Sequence, residues 1–199
     1  MRIFIALDID NAIRERIQRF VDGVQGFAPD ARWVRPASMH VTLKFIGEKS
    51  DEAVAAIKGA LTKLKFEDTQ AAGIEISFRG YGFFPTSKAP RVFWVGIEAG
   101  PQLAALAKLV DETTAALGVP KEEHAFSPHL TLSRRGGSGA PRWRKGDVPN
   151  QSFLRLQEKL AALPAPEFGT MTAREFFLYQ SQLGRGGSRY TKIARFGIK

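Results

Sequence analysis

Met39-His40-Val41-Thr42-Leu43 and Pro128-His129-Leu130-Thr131-Leu132 decide the reading of this chain. They stand 89 residues apart, and so do Arg2-Ile3-Phe4 and Arg91-Val92-Phe93. Each half thus places a His-x-Thr-Leu tetrapeptide 36 residues after the Phe of its opening run. Tetrapeptide, opening run and spacing coincide together, which marks an internal repeat. Along a strand the side chains alternate faces, so His40 and Thr42 share one face, ~6.6 Å apart. Val41 and Leu43 turn the other way, and His129, Leu130, Thr131 and Leu132 repeat the arrangement. Two such lobes about a pseudo-two-fold axis would bring two imidazoles and two hydroxyls to one cleft.

Outward from the motifs, the periodicity alternates between strand and helix. Residues 2–7 read as a strand. Ile13, Ile17, Phe20, Val21 and Val24 follow at helical spacing over 11–26, with Asp10 or Asn11 as cap. A strand over 40–46 is expected to stop at Gly47. Ser50, Asp51 and Glu52 open a helix with Val54, Ile57, Leu61 and Leu64 as its buried stripe. Residues 74–84 form a strand interrupted by Gly80 and Gly82 and ended by Pro85.

The second half restarts with a strand over 91–97. Gly100-Pro101 opens a helix with Leu103, Leu106, Ala107, Val110 and Leu117 as its stripe. Residues 129–134 are a strand and 135–149 a Gly-rich basic loop. Phe153, Leu156, Leu160 and Leu163 mark a last helix, and 176–183 with 191–198 a terminal hairpin. The pattern predicts an α+β fold of two pseudo-symmetric antiparallel sheets, backed by helices, around a central cleft. No low-complexity linker separates the halves. A single domain over 1–199 is therefore expected, with a first lobe mainly 1–88, a second mainly 89–199, and the terminal hairpin free to cross between them.

Composition limits the function classes. The chain has 199 residues and no cysteine, which excludes disulfides, thiolate metal sites and thiol nucleophiles. No apolar run reaches the roughly 18–20 residues of a membrane span, and the opening residues lack a signal-peptide pattern. A cytoplasmic protein with no membrane partner is expected. Residues 1–133 hold 16 basic and 16 acidic residues, whereas 134–199 hold 13 basic and 4 acidic, 13 − 4 = +9. A one-sided excess points to an anionic partner such as a nucleic-acid backbone; a solvated basic surface is the alternative. Arg135, Arg142, Trp143, Arg144 and Lys145 are the RNA-binding candidates, with Trp143 suited either to stacking a base or to packing.

Two opposed imidazoles suit acid–base chemistry at phosphorus. Free histidine titrates near 6.5, so one ring can accept a proton from water while the other donates to a leaving oxygen. In-line displacement places base and acid on opposite sides of the phosphorus. Thr42 and Thr131 can donate to phosphate oxygens, and Arg134 carries a guanidinium matched to phosphate. Its counterpart 89 residues earlier is Phe45, so the arginine is not duplicated. The scheme needs no metal or cofactor. Neither motif has zinc-ligand spacing, Gly136-Gly137-Ser138-Gly139 lacks the Lys-Ser/Thr of a P-loop, and no nucleophile elbow is present. His124 lies outside both motifs and reads as structural or surface.

At these residues the chain resembles the 2H phosphoesterase superfamily, named for two His-x-Thr/Ser-x motifs. Within it, the chain is similar to the RNA 2′,3′-cyclic phosphodiesterases, also called 2′-5′ RNA ligases. The resemblance covers RIFIALDID (2–10), RWVRPASMHVTLKFIGE (32–48), Phe84-Pro85 with RVFWVGI (91–97), FSPHLTLSR (126–134) and LYQSQLGRGGSRYTKI (178–193). It implies a bilobal fold with the motifs facing each other. It implies hydrolysis of RNA 2′,3′-cyclic phosphate ends to 2′-phosphates, with 2′-5′ ligation as a related reaction. It also implies His40 as proton donor to the 3′ oxygen, His129 as proton acceptor from water, and Thr42, Thr131 and Arg134 as phosphate-binding residues. The motifs alone are too symmetric to assign acid and base. The expected partner is RNA ending in 2′,3′-cyclic phosphate, with the protein a monomer and no obligate protein partner. The alternatives are a phosphodiesterase for small cyclic nucleotides or 2′-5′ oligoadenylates, and a non-catalytic RNA-binding module.

Overall fold

In both halves the motif strand lies beside the opening strand of its own half. The computed structural model describes residues 1–66, 73–135, 151–184 and 187–198. The first half supplies β1 (Arg2–Leu7), α1 (Asn11–Val24), β2 (Arg32–Trp33), β3 (Val41–Glu48), α2 (Asp51–Thr62) and β4 (Ile74–Phe84). The second supplies β5 (Val92–Ala99), α3 (Pro101–Ala115), β6 (His129–Arg134), α4 (Gln151–Ala161), β7 (Glu167–Ala173), β8 (Glu175–Gly184) and β9 (Gly187–Gly197). Two antiparallel sheets result, with orders β3-β1-β8-β9 and β2-β6-β5-β4-β7. Among the described residues no helix is long and apolar enough to cross a membrane.

Local sequence accounts for most elements. In β1, Ile3, Ile5 and Leu7 enter the main core, while Phe4 and Ala6 turn to the opposite face and join Phe177, Tyr179 and Tyr190. Ser50 caps α2 by accepting from the Ala53 amide at 3.3 Å, and Asp51 and Glu52 face the positive end of the helix. Asp10 holds the cap position of α1 but makes no side-chain capping bond.

Several expectations need correction. β3 does not stop at Gly47; that glycine takes a φ of 88° and still pairs with Ile3, and the strand runs on to Glu48. Leu117 and Leu163 lie past the ends of α3 and α4 and are exposed. In α3 the inner face is completed instead by Thr114, whose hydroxyl donates to the Val110 carbonyl at 2.9 Å. The strand β7 has no counterpart in the sequence reading. Its buried residues are Phe168, Met171 and Ala173, because Gly169, at a φ of 112°, disturbs the two-residue period.

Sheet membership does not follow the chain's midpoint. β4 from the first half joins the five-stranded sheet, and β8 and β9 from the end of the chain join the four-stranded one. Helices cross as well: Phe20 of α1 meets Phe93 and Phe168 of the five-stranded sheet, while Asp111 of α3 bonds Lys44 of β3. A boundary near residue 88 therefore does not separate the sheets. One apolar cluster runs through residues of both.

Candidate active site

The two motif strands share an irregularity that the alternation rule misses. Ala6 pairs with Thr42 and the next residue back, Ile5, pairs with Lys44, so Leu43 is an extra residue in β3. In β6, Trp94 pairs with Thr131 and Phe93 with Ser133, so Leu132 is extra. These bulges fall at equivalent positions, 43 + 89 = 132. A bulge shifts the face of every later residue. Lys44 and Ser133, which strict alternation would place beside the motif side chains, are buried. Phe45 and Arg134 come to the motif face instead. Leu43 and Leu132 thus let Arg134, an odd five residues after His129, stand with His129 and Thr131.

Both imidazoles are tied down in the same way. His40 Nδ1 lies 2.7 Å from the Ser38 carbonyl oxygen and His129 Nδ1 lies 2.8 Å from that of Ser127. A carbonyl only accepts, so each Nδ1 carries the proton and each neutral ring leaves Nε2 as its available lone pair. The serines stand two residues before each histidine, 38 + 89 = 127. This longer repeat, Ser-x-His-x-Thr-Leu, was legible, although it is the backbone of the serine that serves.

Aromatic rings wall each histidine. The His40 ring lies 4.8 Å from Phe4 and 5.2 Å from Tyr190, edge-on to the latter. The His129 ring lies 4.9 Å from Phe84 and 6.3 Å from Trp94. Trp94 occupies its place because residue 82 is glycine: a Cβ there would come within 2.1 Å of the indole. Phe45 is 59% exposed and 6.0 Å from Phe4, an uncovered aromatic face beside the His40 cluster.

Electrostatics link the two motif strands. Burial lowers the pKa of His40 from 6.5 to about 4. The Ser38 carbonyl and Asp8 oppose that shift, whereas Arg134 and His129 add to it. His129 is also lowered, by burial first and by Arg134, with the Ser127 carbonyl opposing. Arg134 therefore acts on both rings, and each ring lies in the neighbourhood of the other motif. The free protein holds both rings neutral near pH 7, unlike the mixed protonation expected from free histidine. Asp8, the carboxylate that favours a charged His40, is engaged by Arg14 at 2.7 Å and by Lys192.

The structure brings His40, Thr42, His129, Thr131 and Arg134 into one neighbourhood and adds Phe45, Tyr190 and Trp94, which the sequence reading did not assign there. Arg135 follows at the exposed end of β6. Arg142, Trp143, Arg144 and Lys145 lie outside the described residues. His124 is exposed. Among the described residues no three His, Asp or Glu side chains gather as a metal-ligand set.

The family model described as LigT like Phosphoesterase matches twice, over residues 7–94 and 95–190. An RNA 2′,3′-cyclic phosphodiesterase of Archaeoglobus fulgidus is 32% identical over 196 residues, 98% of this chain and 99% of that one. The Escherichia coli protein of the same name is 28% identical over 99% of this chain and 96% of its own. Among solved structures, E. coli LigT complexed with 3′-AMP superposes with a TM-score of 0.74 at 26% identity, covering 99% of this chain and 97% of that one.

Proposed function

The chain belongs to the LigT like Phosphoesterase family, and on that premise we propose that it hydrolyses RNA 2′,3′-cyclic phosphate ends by paired-histidine acid–base chemistry. It is an RNA 2′,3′-cyclic phosphodiesterase. The observation that carries the residue roles is the matched pair of Nδ1–carbonyl bonds, which present two Nε2 atoms within the influence of one arginine.

His129 Nε2 takes a proton from water as the water oxygen attacks phosphorus. The bond from phosphorus to O3′ breaks in line, and His40, protonated on Nε2, gives its proton to O3′. The product carries a 2′-phosphate and a free 3′-hydroxyl, and solvent returns the two rings to their starting states. Arg134, Thr42 and Thr131 hold the non-bridging oxygens, where charge is spread in the transition state. Phe45 offers a stacking face for the terminal base. A 5′-hydroxyl replacing water would form a 2′-5′ linkage by the same proton movements.

His40 as donor follows the family resemblance and needs a raised pKa in the complex. A phosphate anion beside it supplies that: an opposite charge within roughly 4–6 Å shifts a group by about 1–3 units, and the anion also offsets Arg134. The direct test is incubation with a cyclic-phosphate RNA in EDTA, with products compared against 2′- and 3′-phosphate standards. A 2′-phosphate product is expected; a 3′-phosphate product, or no hydrolysis, would overturn the reading.

A further inference from the structure

The repeat supplies two histidines held alike, and one place in the fold tells them apart. In the ladder of β1 and β3, Ala6 pairs with Thr42 and Leu7 with Val41, a register that carries on to set Asp8 across from His40. In the ladder of β5 and β6, Trp94 pairs with Thr131 and Val95 with Leu130, and the residue across from His129 is Gly96. Facing residues of an antiparallel pair hold their Cβ atoms about 4.5–5.5 Å apart. A carboxylate thus stands beside one imidazole, and no side chain beside the other. None fits at position 96, since a Cβ there would come within 2.4 Å of the Arg79 carbonyl oxygen.

The Asp8 carboxylate is fixed in place. Alternation from Phe4 and Ala6 puts it on the motif face. Its Oδ1 accepts from the Ile9 amide at 2.9 Å and from Arg14 Nη2 at 2.7 Å, and its Oδ2 accepts from Lys192. The Lys192 ammonium also lies 4.1 Å from the centre of the Phe177 ring, in the aromatic cluster that His40 borders. Burial and then Asp8 push the Tyr179 phenol up, with Arg14 opposing, and the Tyr179 ring lies 6.1 Å from that of His40. The groups that face His40 are therefore Asp8 from β1, Tyr179 from β8, Tyr190 from β9, and His129 and Arg134 from β6. Asp8 favours the charged ring, whereas Arg134 and His129 oppose it. The charge that acts on His129 is that of Arg134, which opposes protonation there as well.

We propose that Asp8 is the positioning residue that makes His40, and not His129, the proton donor. Its carboxylate stabilises the imidazolium across the strand pair and acts through His40, not on the phosphate. This role rests on the phosphodiesterase reading above and adds a structural reason for the direction of proton flow. Arg14 and Lys192 hold the carboxylate and also offset part of its charge. Removing the Lys192 ammonium should therefore favour the charged ring, and removing the carboxylate should do the reverse.

Two measurements on Asp8→Asn and Lys192→Met test the role. The first follows the His40 and His129 ring signals by NMR against pH in the free protein, with His40→Gln to assign them. Asp8→Asn should move the His40 titration down by about one pH unit, the lower end of the effect of a close opposite charge. Lys192→Met should move it up, and His129 should stay in place in both. The second is kcat against pH on a cyclic-phosphate RNA. Its alkaline limb should move in the same two directions, and Asp8→Asn should lose about tenfold in kcat near pH 8, where a limb one unit lower leaves a tenth of the donor protonated. An ester with a better leaving group should recover most of that loss. An unchanged His40 titration in both variants would overturn the role. So would equal losses of kcat in both with no displaced limb, which mark structural support alone. If Asp8→Asn does not fold, the upward move in Lys192→Met decides by itself. Titrations that move as expected, in a protein that hydrolyses no cyclic-phosphate RNA, would overturn the phosphodiesterase reading and keep the hold of Asp8 on His40.

Discussion

At the scale of single residues, chemistry is set by what each histidine cannot do. Neither ring can present Nδ1 to substrate, because Ser38 and Ser127 carbonyls occupy it. In the proposed mechanism both work through Nε2, so replacing either should remove a full proton transfer. His40→Ala and His129→Ala should each cost on the order of 10²–10⁴ in kcat. A cyclic ester with a better leaving group should rescue His40→Ala more than His129→Ala; the opposite rescue would exchange the roles. The depressed pKa of His40 makes a second prediction. In the free protein its charged form exists mainly below about 4. Bound phosphate favours that form. The alkaline limb of kcat, which reports the complex, should therefore lie at higher pH than that of kcat/KM, which reports the free protein. Superimposable limbs in the two profiles would remove the phosphate-induced shift.

At the scale of elements, the bulge after each Thr sends the fourth residue after each His inward. In β6 that residue is the small Ser133; in β3 it is Lys44, which lies 2% exposed. Its ammonium is satisfied by Asp111 at 2.6 Å, the Pro120 carbonyl at 2.7 Å and Glu122 at 3.2 Å. Burial pushes the Asp111 carboxyl up, but the Lys44 hydrogen bond and charge outweigh it and hold the pKa below its ordinary value. This pair fastens the His40 strand to α3 and to the segment that leads into His129. Lys44→Met leaves Asp111 without its cation and should cost about 3 kcal/mol, read from denaturant unfolding. Lys44→Met with Asp111→Leu removes both charges and should recover most of that loss. If the double variant is as unstable as the single one, packing rather than charge holds the joint.

For the whole molecule, the burial that lowers His40, the proposed proton donor, also bears on acid stability. An unfolded histidine titrates near 6.5, whereas His40 in the fold is lowered to about 4. The unfolded chain thus takes up the proton first as pH falls. The stability associated with the neutral ring is complete above about 6.5 and is lost progressively towards 4. The loss is on the order of 3 kcal/mol, from about 2.5 units at ~1.4 kcal/mol each. His129, also lowered, contributes in the same direction. Wild type should lose melting temperature between pH 6.5 and 4, and His40→Gln should lose visibly less. Parallel curves would place the acid sensitivity elsewhere. The exchanged strands and crossing helices make this a property of one unit, since neither sheet can be completed from one half of the chain.

By itself, the sequence determined what is local and repeated. The offset of 89 marked the two motifs and their strands, because short-range alternation and spacing are written in adjacent residues; that each pairs with its opening strand came from the fold. The offset also exposed the asymmetry between Arg134 and Phe45. It did not reveal that these two residues stand on the motif face, since a bulge is a relation between two strands and leaves no mark in either alone. β7 escaped for a similar reason: Gly169 breaks its period, and pairing with β4 is what makes it a strand. The lowering of His40 was equally hidden. It arises from burial together with Arg134 and His129, groups 94 and 89 positions away, which only the closed fold brings beside it. Tertiary structure decided those features because burial and electrostatics depend on distance in space, whereas the repeat depends on distance along the chain.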